Sequence, residues 1–322
     1  MYRFFTSVRR RPLLAAALAL VCASLLLVAC GDDDAPGEAT ATATSTGGAE
    51  FPRTITDSSG AAVTLASQPR RIVSLSPAAT EILFAIGAGD RIVGSDTFSN
   101  YPDAAEDTDK LDYSKPDPEA ALALDPDLVI MVTRQQEQVP QFRDLGMTVL
   151  YFEEAETVEG VYDSIELLGE LTGGDAEAER LVAGMRQRVD ALTSKLAGVA
   201  AGPRVFYEIT TDLYTVSDDT FIGSMLALLK AKNVAAGASS KFPQLTAEAV
   251  IASDPEVVLL ADAKFTNENL ETVSARPGWA NVSAVRNRRV VAIDDDIASR
   301  PGPRIVDAME AIAKALYPDR FP

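Results

Sequence analysis

Two rhythms of apolar residues alternate along this chain. Short unbroken apolar runs are followed by longer segments whose apolar residues return every three or four positions. The unbroken runs suit strands covered on both faces, and the longer spacing suits a helix with one buried stripe. "RRIVSLSPAATEILFAIGAGDRIVG", starting at Arg70, predicts a strand over 72–75, a helix over 77–86 stopped by Gly87, and a strand over 91–93. Ser76 holds the N-cap position and Pro77 the first helical position, where each type is favoured. "PRVFYEI" and "TFIGSMLALLKAKNVA" write a strand and a helix again in the second half.

One phrase occurs twice. "EAALALDPDLV" starts at Glu119 and "EAVIASDPEVV" at Glu248, 129 residues later, with six of eleven positions identical. Each copy reads as a short helix stopped by Asp-Pro and followed by an apolar strand, over 128–132 and over 257–261. Strands alternating with helices in both halves predict two β/α lobes. Between them, "DAEAERLVAGMRQRVDALTSKLAG" places Leu181, Val182, Met185, Val189, Leu192 and Leu196 on one helical face. No turn signal interrupts it, so it predicts about six turns of helix at 3.6 residues each, capped by Asp175 and ended by Gly198. Large hinge motion would require melting that connection. The fold expectation is α/β: two β/α lobes with mainly parallel central sheets, joined by a single long helix, with a ligand cleft between the lobes. The divisions are 1–29, 30–50, an N-terminal lobe over 51–173, the interlobe helix over 174–198 and a C-terminal lobe over 199–322.

The N-terminal residues add a location. Arg3, Arg9, Arg10 and Arg11 precede an apolar run that ends in Leu27-Val28-Ala29-Cys30. A positive start, a short apolar stretch and small residues before a cut describe a secretory signal over 1–29 rather than a membrane span. The segment resembles a bacterial lipobox, which implies a lipid on Cys30 and an extracytoplasmic, membrane-anchored protein, periplasmic or on the outer surface. Cys22 leaves with the signal, so no disulfide forms within the mature chain. Residues 31–50 hold no large apolar side chain and read as a flexible tether.

Charge and composition then exclude chemistries. Without residues 1–29, 25 Lys and Arg face 47 Asp and Glu, a net charge of −22, which repels nucleic acid. Histidine is absent, which removes Ser-His-Asp triads, zinc sites of the HExxH type and histidine-ligated haem iron. Carboxylate-only catalysis and tyrosinate ligation of iron stay open. A secreted enzyme of the glycosidase type needs two acids flanking one bond; loss of activity at a single acid distinguishes it from a binding protein.

Within the repeated phrase, Glu119 and Glu248 each fall in the first turn of a short helix, where an acid complements the helix dipole by roughly 0.3–1 kcal/mol. Six residues before each stands an aromatic, Tyr113 and Phe242, in loops at the strand ends where α/β folds open onto a cleft. Two such aromatics on facing lobes would grip a large flat ligand from both sides. Trp279 in "RPGWANV" is assigned to packing.

From Arg70 to Pro318 the chain resembles the substrate-binding proteins of ABC importers that carry cobalamin, ferric siderophores or haem. "PRRIVSLSPAATEILFAIGAGDRIVG", "NYP", "PEAALALDPDLVI", the long helix and "RPGWANVSAVRNRRVVAID" carry the resemblance, in this order and behind a lipobox. It implies a non-enzymatic monomer that captures one ligand between its lobes, without a resident cofactor, and delivers it to a permease dimer with its ATPase subunits. By motif, Glu119 and Glu248 dock into that permease. The cobalamin branch is the nearest, with ferric siderophore and haem as alternatives; haem would take a tyrosinate from Tyr101 or Tyr113. The resemblance assigns the cleft to Phe98, Tyr113 and Phe242, with an acid at Asp296. Arg300 either meets a carboxylate or phosphate of the ligand or braces its loop by an ion pair with one of Asp294 to Asp296. The chain departs from the branch in having Phe and Tyr where tryptophan is usual. Ser76, at a helix N-terminus facing the cleft, either caps that helix alone or adds a polar contact.

Overall fold

The computed structural model describes Glu50–Phe321; the leader, Cys30 and all but the last residue of the tether lie outside the described residues. A two-stranded antiparallel ribbon, β1 (Arg53–Thr56) and β2 (Ala62–Leu65), comes first. The N-terminal lobe follows with β3 (Ile72–Ser74), α1 (Pro77–Ala85), β4 (Ile92–Asp96), β5 (Asp109–Leu111), α2 (Pro118–Ala123), β6 (Leu128–Val132), α3 (Val139–Asp144), β7 (Val149–Phe152) and α4 (Val158–Thr172). A helix of 21 residues, α5 (Asp175–Lys195), leads out of it. The C-terminal lobe contains β8 (Arg204–Glu208), α6 (Phe221–Leu228), β9 (Lys232–Asn233), α7 (Ala247–Ser253), β10 (Val257–Leu260) and α8 (Ala263–Thr266). It closes with α9 (Leu270–Ala275), α10 (Ser283–Arg286), β11 (Val290–Ala292), α11 (Asp295–Ala298) and α12 (Ile305–Leu316).

Both lobe sheets are wholly parallel, ordered β5-β4-β3-β6-β7 and β9-β8-β10-β11. Dropping β5 leaves the same order in each lobe: the second strand on one side of the first, then the third and fourth on the other. The central strands β6 and β10 are buried at every position, as their unbroken apolar sequences require. β5 was not anticipated: Asp109 and Lys110 are exposed on an edge strand, so it lacks the apolar run that marks its neighbours.

On α5, Ala178, Val182, Met185, Val189 and Leu192 are buried, each of the four larger side chains contributing about 1.5–3 kcal/mol. The stripe packs against α4 of one lobe and α12 of the other, within one apolar cluster that continues through both lobes. A helix end departs from expectation. Gly174, not Asp175, is the N-cap of α5 and makes no side-chain capping bond; the Asp175 carboxylate is instead held by Arg53 through two bonds of 2.9 and 3.0 Å.

The repeated phrase has a structural duty. Asp125 and Asp254 both take positive φ, 47° and 44°, which Asp tolerates better than most residues, and the following proline keeps each helix from continuing. An arginine ahead of the first strand of the N-terminal lobe and one opening that of the C-terminal lobe strap these helix ends. Arg71 Nε donates to the carbonyls of Leu124 and Asp125 at 3.1 and 2.9 Å, and Arg204 Nε to those of Ser253 and Asp254 at 3.1 and 3.0 Å. Asp127 and Glu256 complete the mirrored pair by accepting the backbone N–H of Arg71 and Arg204.

Candidate functional site

In a parallel β/α lobe every strand ends on the same edge, and ligands bind outside that edge. The loops leaving these ends carry Phe98 and Tyr101 after β4, Tyr113 after β5, Tyr214 after β8 and Phe242 after β9, and α8 carries Phe265 after β10. Among the described residues, the aromatics left exposed are Phe98 (58%), Tyr101 (45%), Tyr214 (40%), Phe242 (53%) and Phe265 (71%). Four lie on these loops and Phe265 on α8, directly after β10, which burial for core packing alone does not explain.

Two cavities adjoin along this edge. One, of about 490 Å³, belongs to the C-terminal lobe and is walled by Tyr214, Phe221, Phe242 and Phe265 over a floor of Tyr207, Asp262 and Asp295. The other, of about 320 Å³, lies between the lobes, from Thr133 and Glu154 on one side to Lys241 and Pro301 on the other; the two share Thr220, Phe221, Phe242 and Ser299. The structure brings Phe98 and Tyr113 together edge-to-face, with ring centroids 5.4 Å apart. Neither ring lines either cavity, so Tyr113 and Phe242 do not face each other across one hollow in this conformation.

Ser76 keeps its expected N-cap role and does not supply the cleft contact. It is 1% exposed, and its hydroxyl accepts the backbone N–H of Ala79 at 3.3 Å, capping α1 rather than opening onto the cleft. Trp279 is 1% exposed and packs against Phe206 in the C-terminal core.

The acid and arginine expected at the ligand are engaged with each other and with the opposite lobe. Asp296 holds Lys264 at 2.7 Å and Arg300 at 2.6 Å. Burial pushes the Asp296 carboxyl up, but Lys264, Arg300 and Asn100 outweigh it and hold it below its ordinary value. Arg300 also donates to Asn100 Oδ1 at 2.7 Å and reaches Glu81 at 3.2 Å, both in the N-terminal lobe. Arg304 grips the same Glu81 through two bonds, 2.9 and 2.5 Å, and lies over the Tyr101 ring at 3.9 Å. Glu81, with 2% of its side chain exposed, is thus the N-terminal half of a clasp closing one end of the cleft. Lys241 and Glu156 make a second cross-lobe pair.

The remaining groups on this edge are acids under strain of burial. Burial raises the Asp262 and Asp295 carboxyls and the Tyr207 hydroxyl. Burial and then Asp96 raise Glu154. Tyr113 is pushed up to about 12, by burial first and then by Glu154 and Asp96. Among the described residues, no group of three or more acids or cysteines is arranged to hold a metal ion.

In each lobe the short helix runs back from the cleft edge, so its first turn sits on the rim. Glu119 and Glu248 occupy that turn, two positions after the side-chain caps Asp117 and Thr246. Both are exposed, and neither carboxylate has an ion-pair or hydrogen-bond partner among the described residues. The mirrored straps account for the Asp-Pro ends of the phrase; they make no use of its glutamates.

Sequence reasoning missed Glu81, Arg304, Tyr207, Asp262 and Asp295. Two signals were present: Glu81 interrupts the apolar face of "AATEILFAIG", and Asp262 directly follows an apolar parallel strand, where functional side chains collect.

The profile describing periplasmic binding proteins matches residues 72–297. The ABC transporter substrate-binding lipoprotein YvrC of Bacillus subtilis is 33% identical over 311 residues, 94% of this chain and 96% of its own. A cobalamin-binding protein of Halobacterium salinarum is 33% identical over 276 residues, 83% of this chain and 74% of its own. Among solved structures, the periplasmic haem-binding protein RhuT from Roseiflexus sp. RS-1 superposes with a TM-score of 0.70 at 28% identity, covering 79% of this chain and 99% of that one.

Proposed function

The chain belongs to the periplasmic binding protein family, as an extracytoplasmic substrate-binding component of an ABC importer, and we propose that its ligand is cobalamin or a related corrinoid. The observation that carries this reading is the character of the cleft edge: exposed aromatics and buried acids, with the cations that bridge the lobes already paired. Arg300 and Arg304 are held by Glu81, Lys264 by Asp296 and Lys241 by Glu156. Such an edge suits a large, flat ligand without peripheral carboxylates, stacked on Phe98, Tyr113 and Phe242. Asp296 and Arg300 serve it as the polar end of the clasp. Among the described residues an anionic ligand group would meet Arg134 and Lys115 on N-terminal-lobe connections but would find the bridging cations engaged. Tyr113, held near pKa 12, is a poor source of tyrosinate for haem iron.

Delivery uses the rim. Glu119 and Glu248 are two free carboxylates at equivalent places on two similar lobes, which suits a permease dimer with two similar basic sockets, its ATPase subunits behind it. Cys30 carries the lipid that keeps the protein at the membrane; among the described residues no helix is long and apolar enough to cross one. The protein performs no turnover. Calorimetric titration of the protein in detergent with cyanocobalamin tests the ligand: saturable one-to-one binding is expected, and no binding beside saturable haemin or ferric siderophore would refute the corrinoid reading.

A further inference from the structure

The floor of the C-terminal-lobe cavity holds polar groups that the chain itself leaves unmet. Both carboxylate oxygens of Asp262 and Oδ1 of Asp295 are shut away from solvent and hydrogen-bonded to nothing among the described residues, and the buried Tyr207 hydroxyl has only Ser299 beside it. Asp262 is 5% exposed and Tyr207 0%. A buried polar group without a partner loses its hydration and recovers nothing, so native folds leave few of them. Asp262 also stands at the N-cap of α8, where aspartate ordinarily accepts a backbone N–H, and it makes no such bond. Nearby acids are satisfied: Glu208 by Arg276 at 2.6 and 2.5 Å, and Asp296 by Lys264 and Arg300. The two unmet acids and Tyr207 line one cavity, beneath the aromatic wall of Tyr214, Phe242 and Phe265.

We propose that this floor is a subsite for carboxamides: Asp262 and Asp295 accept the N–H groups of an uncharged amide edge of the ligand, and Tyr207 donates to its carbonyl. The inference rests on the corrinoid reading and deepens it, because a corrinoid is fringed with carboxamides whereas haem ends in carboxylates. A cavity of about 490 Å³ takes an edge of such a macrocycle while the ring lies on the aromatics above. A carboxylate in the same place offers no N–H and brings a like charge beside two desolvated acids. The subsite thereby sorts ligands by the charge of their periphery. It is separate from Asp296 and Arg300, which are engaged in the interlobe clasp.

The test titrates the full chain in detergent with cyanocobalamin and with its three monocarboxylic acids, each lacking one peripheral amide. Asp262→Leu is expected to weaken cyanocobalamin at least tenfold and Asp262→Asn to restore most of that loss, with unchanged circular dichroism. At least one monocarboxylic acid is expected to bind the wild type at least tenfold more weakly than the parent, a gap that narrows in Asp262→Leu. If Asp262→Leu does not fold, Tyr207→Phe, which removes one oxygen, replaces it with a threefold loss as the threshold. Wild-type affinity in a folded variant, or equal binding of all four corrinoids, overturns the subsite and leaves the corrinoid reading intact. If the wild type does not bind cyanocobalamin, that reading fails and ferrioxamine B, whose linkers carry secondary amide N–H groups and which ends in an ammonium, decides the subsite. Binding of ferrioxamine B that is lost in the same variant upholds it; binding of haemin, or of neither, overturns it.

Discussion

Replacing Glu81 by alanine should loosen the two lobes from each other, and the structure sets the size of the effect. Glu81 is the N-terminal-lobe partner of two arginines from the C-terminal lobe, with side chains 2%, 11% and 17% exposed for Glu81, Arg300 and Arg304. Removing one member of a buried ion pair costs about 3–5 kcal/mol, because the partner's charge stays buried. Arg300 keeps Asp296 and Asn100 after the change, whereas Arg304 has no other acid within salt-bridge distance among the described residues. The cost therefore falls near the lower end, about 3 kcal/mol. In a domain of this size each kcal/mol lowers Tm by about 2 °C, so a fall of about 6 °C is expected. Urea unfolding of wild type, Glu81→Ala, Arg304→Met and the double variant measures the coupling directly. The double variant should recover part of the loss, since it removes the stranded charge. A double variant whose loss equals the sum of the single losses would refute the claim that this pair joins the lobes.

Other outcomes follow from separate features. Glu119→Ala with Glu248→Ala should leave ligand affinity unchanged and lower Tm by no more than about 4 °C, the share of the helix dipole, while abolishing uptake in cells; retained uptake would remove the docking role. Asp57 is buried, which raises its carboxyl, but bonds from Ser59, Ala61 and Tyr151 outweigh this and lower it below 3.8. Its stabilisation is therefore present above pH 3.8 and lost as pH falls through the folded value. Asp57→Asn should cost about 1.5–3 kcal/mol at pH 7, and the two unfolding curves should converge in acid. Gly223 lies in the first turn of α6, where an added Cβ would strike the Ser217 carbonyl and the Asp218 backbone. Gly223→Ala should thus destabilise by about 1–3 kcal/mol in thermal unfolding, because backbone cannot give way as a side chain does.

The clasp also bears on how the protein works. α5 packs on α4 and α12 within one continuous apolar cluster, and the Glu81 clasp ties the lobes again at the cleft. Wide separation of the lobes would break both the apolar packing and two buried ion pairs. The ligand is therefore expected to enter with side-chain and loop movement at the exposed aromatics, rather than by large hinge opening.

Much of this protein was legible in its sequence because the relevant physics is local. An apolar run of four or five residues can be satisfied only between two covered faces, so β3, β6, β8 and β10 declared themselves. The Ser76-Pro77 start, the Asp-Pro stops and the uninterrupted stripe of α5 act through neighbouring backbone, and they set element ends to within a few residues. Asp175 and β5 went astray for the same reason reversed: Arg53, 122 positions away, claims Asp175, and β5 is ordered by pairing with β4 rather than by its own residues. The repeat, too, was visible as spacing, although only the structure separated its strapped Asp-Pro ends from its free glutamates. What tertiary structure alone decided was the state of each charged group. Whether Arg300 is free or engaged depends on Glu81, 219 positions away, and whether Asp262 is solvated depends on the walls that fold around it. Hydration and ion pairing are set by surroundings assembled from distant segments, so identical residues in an identical local sequence can be inert at the surface or reactive at a cavity floor.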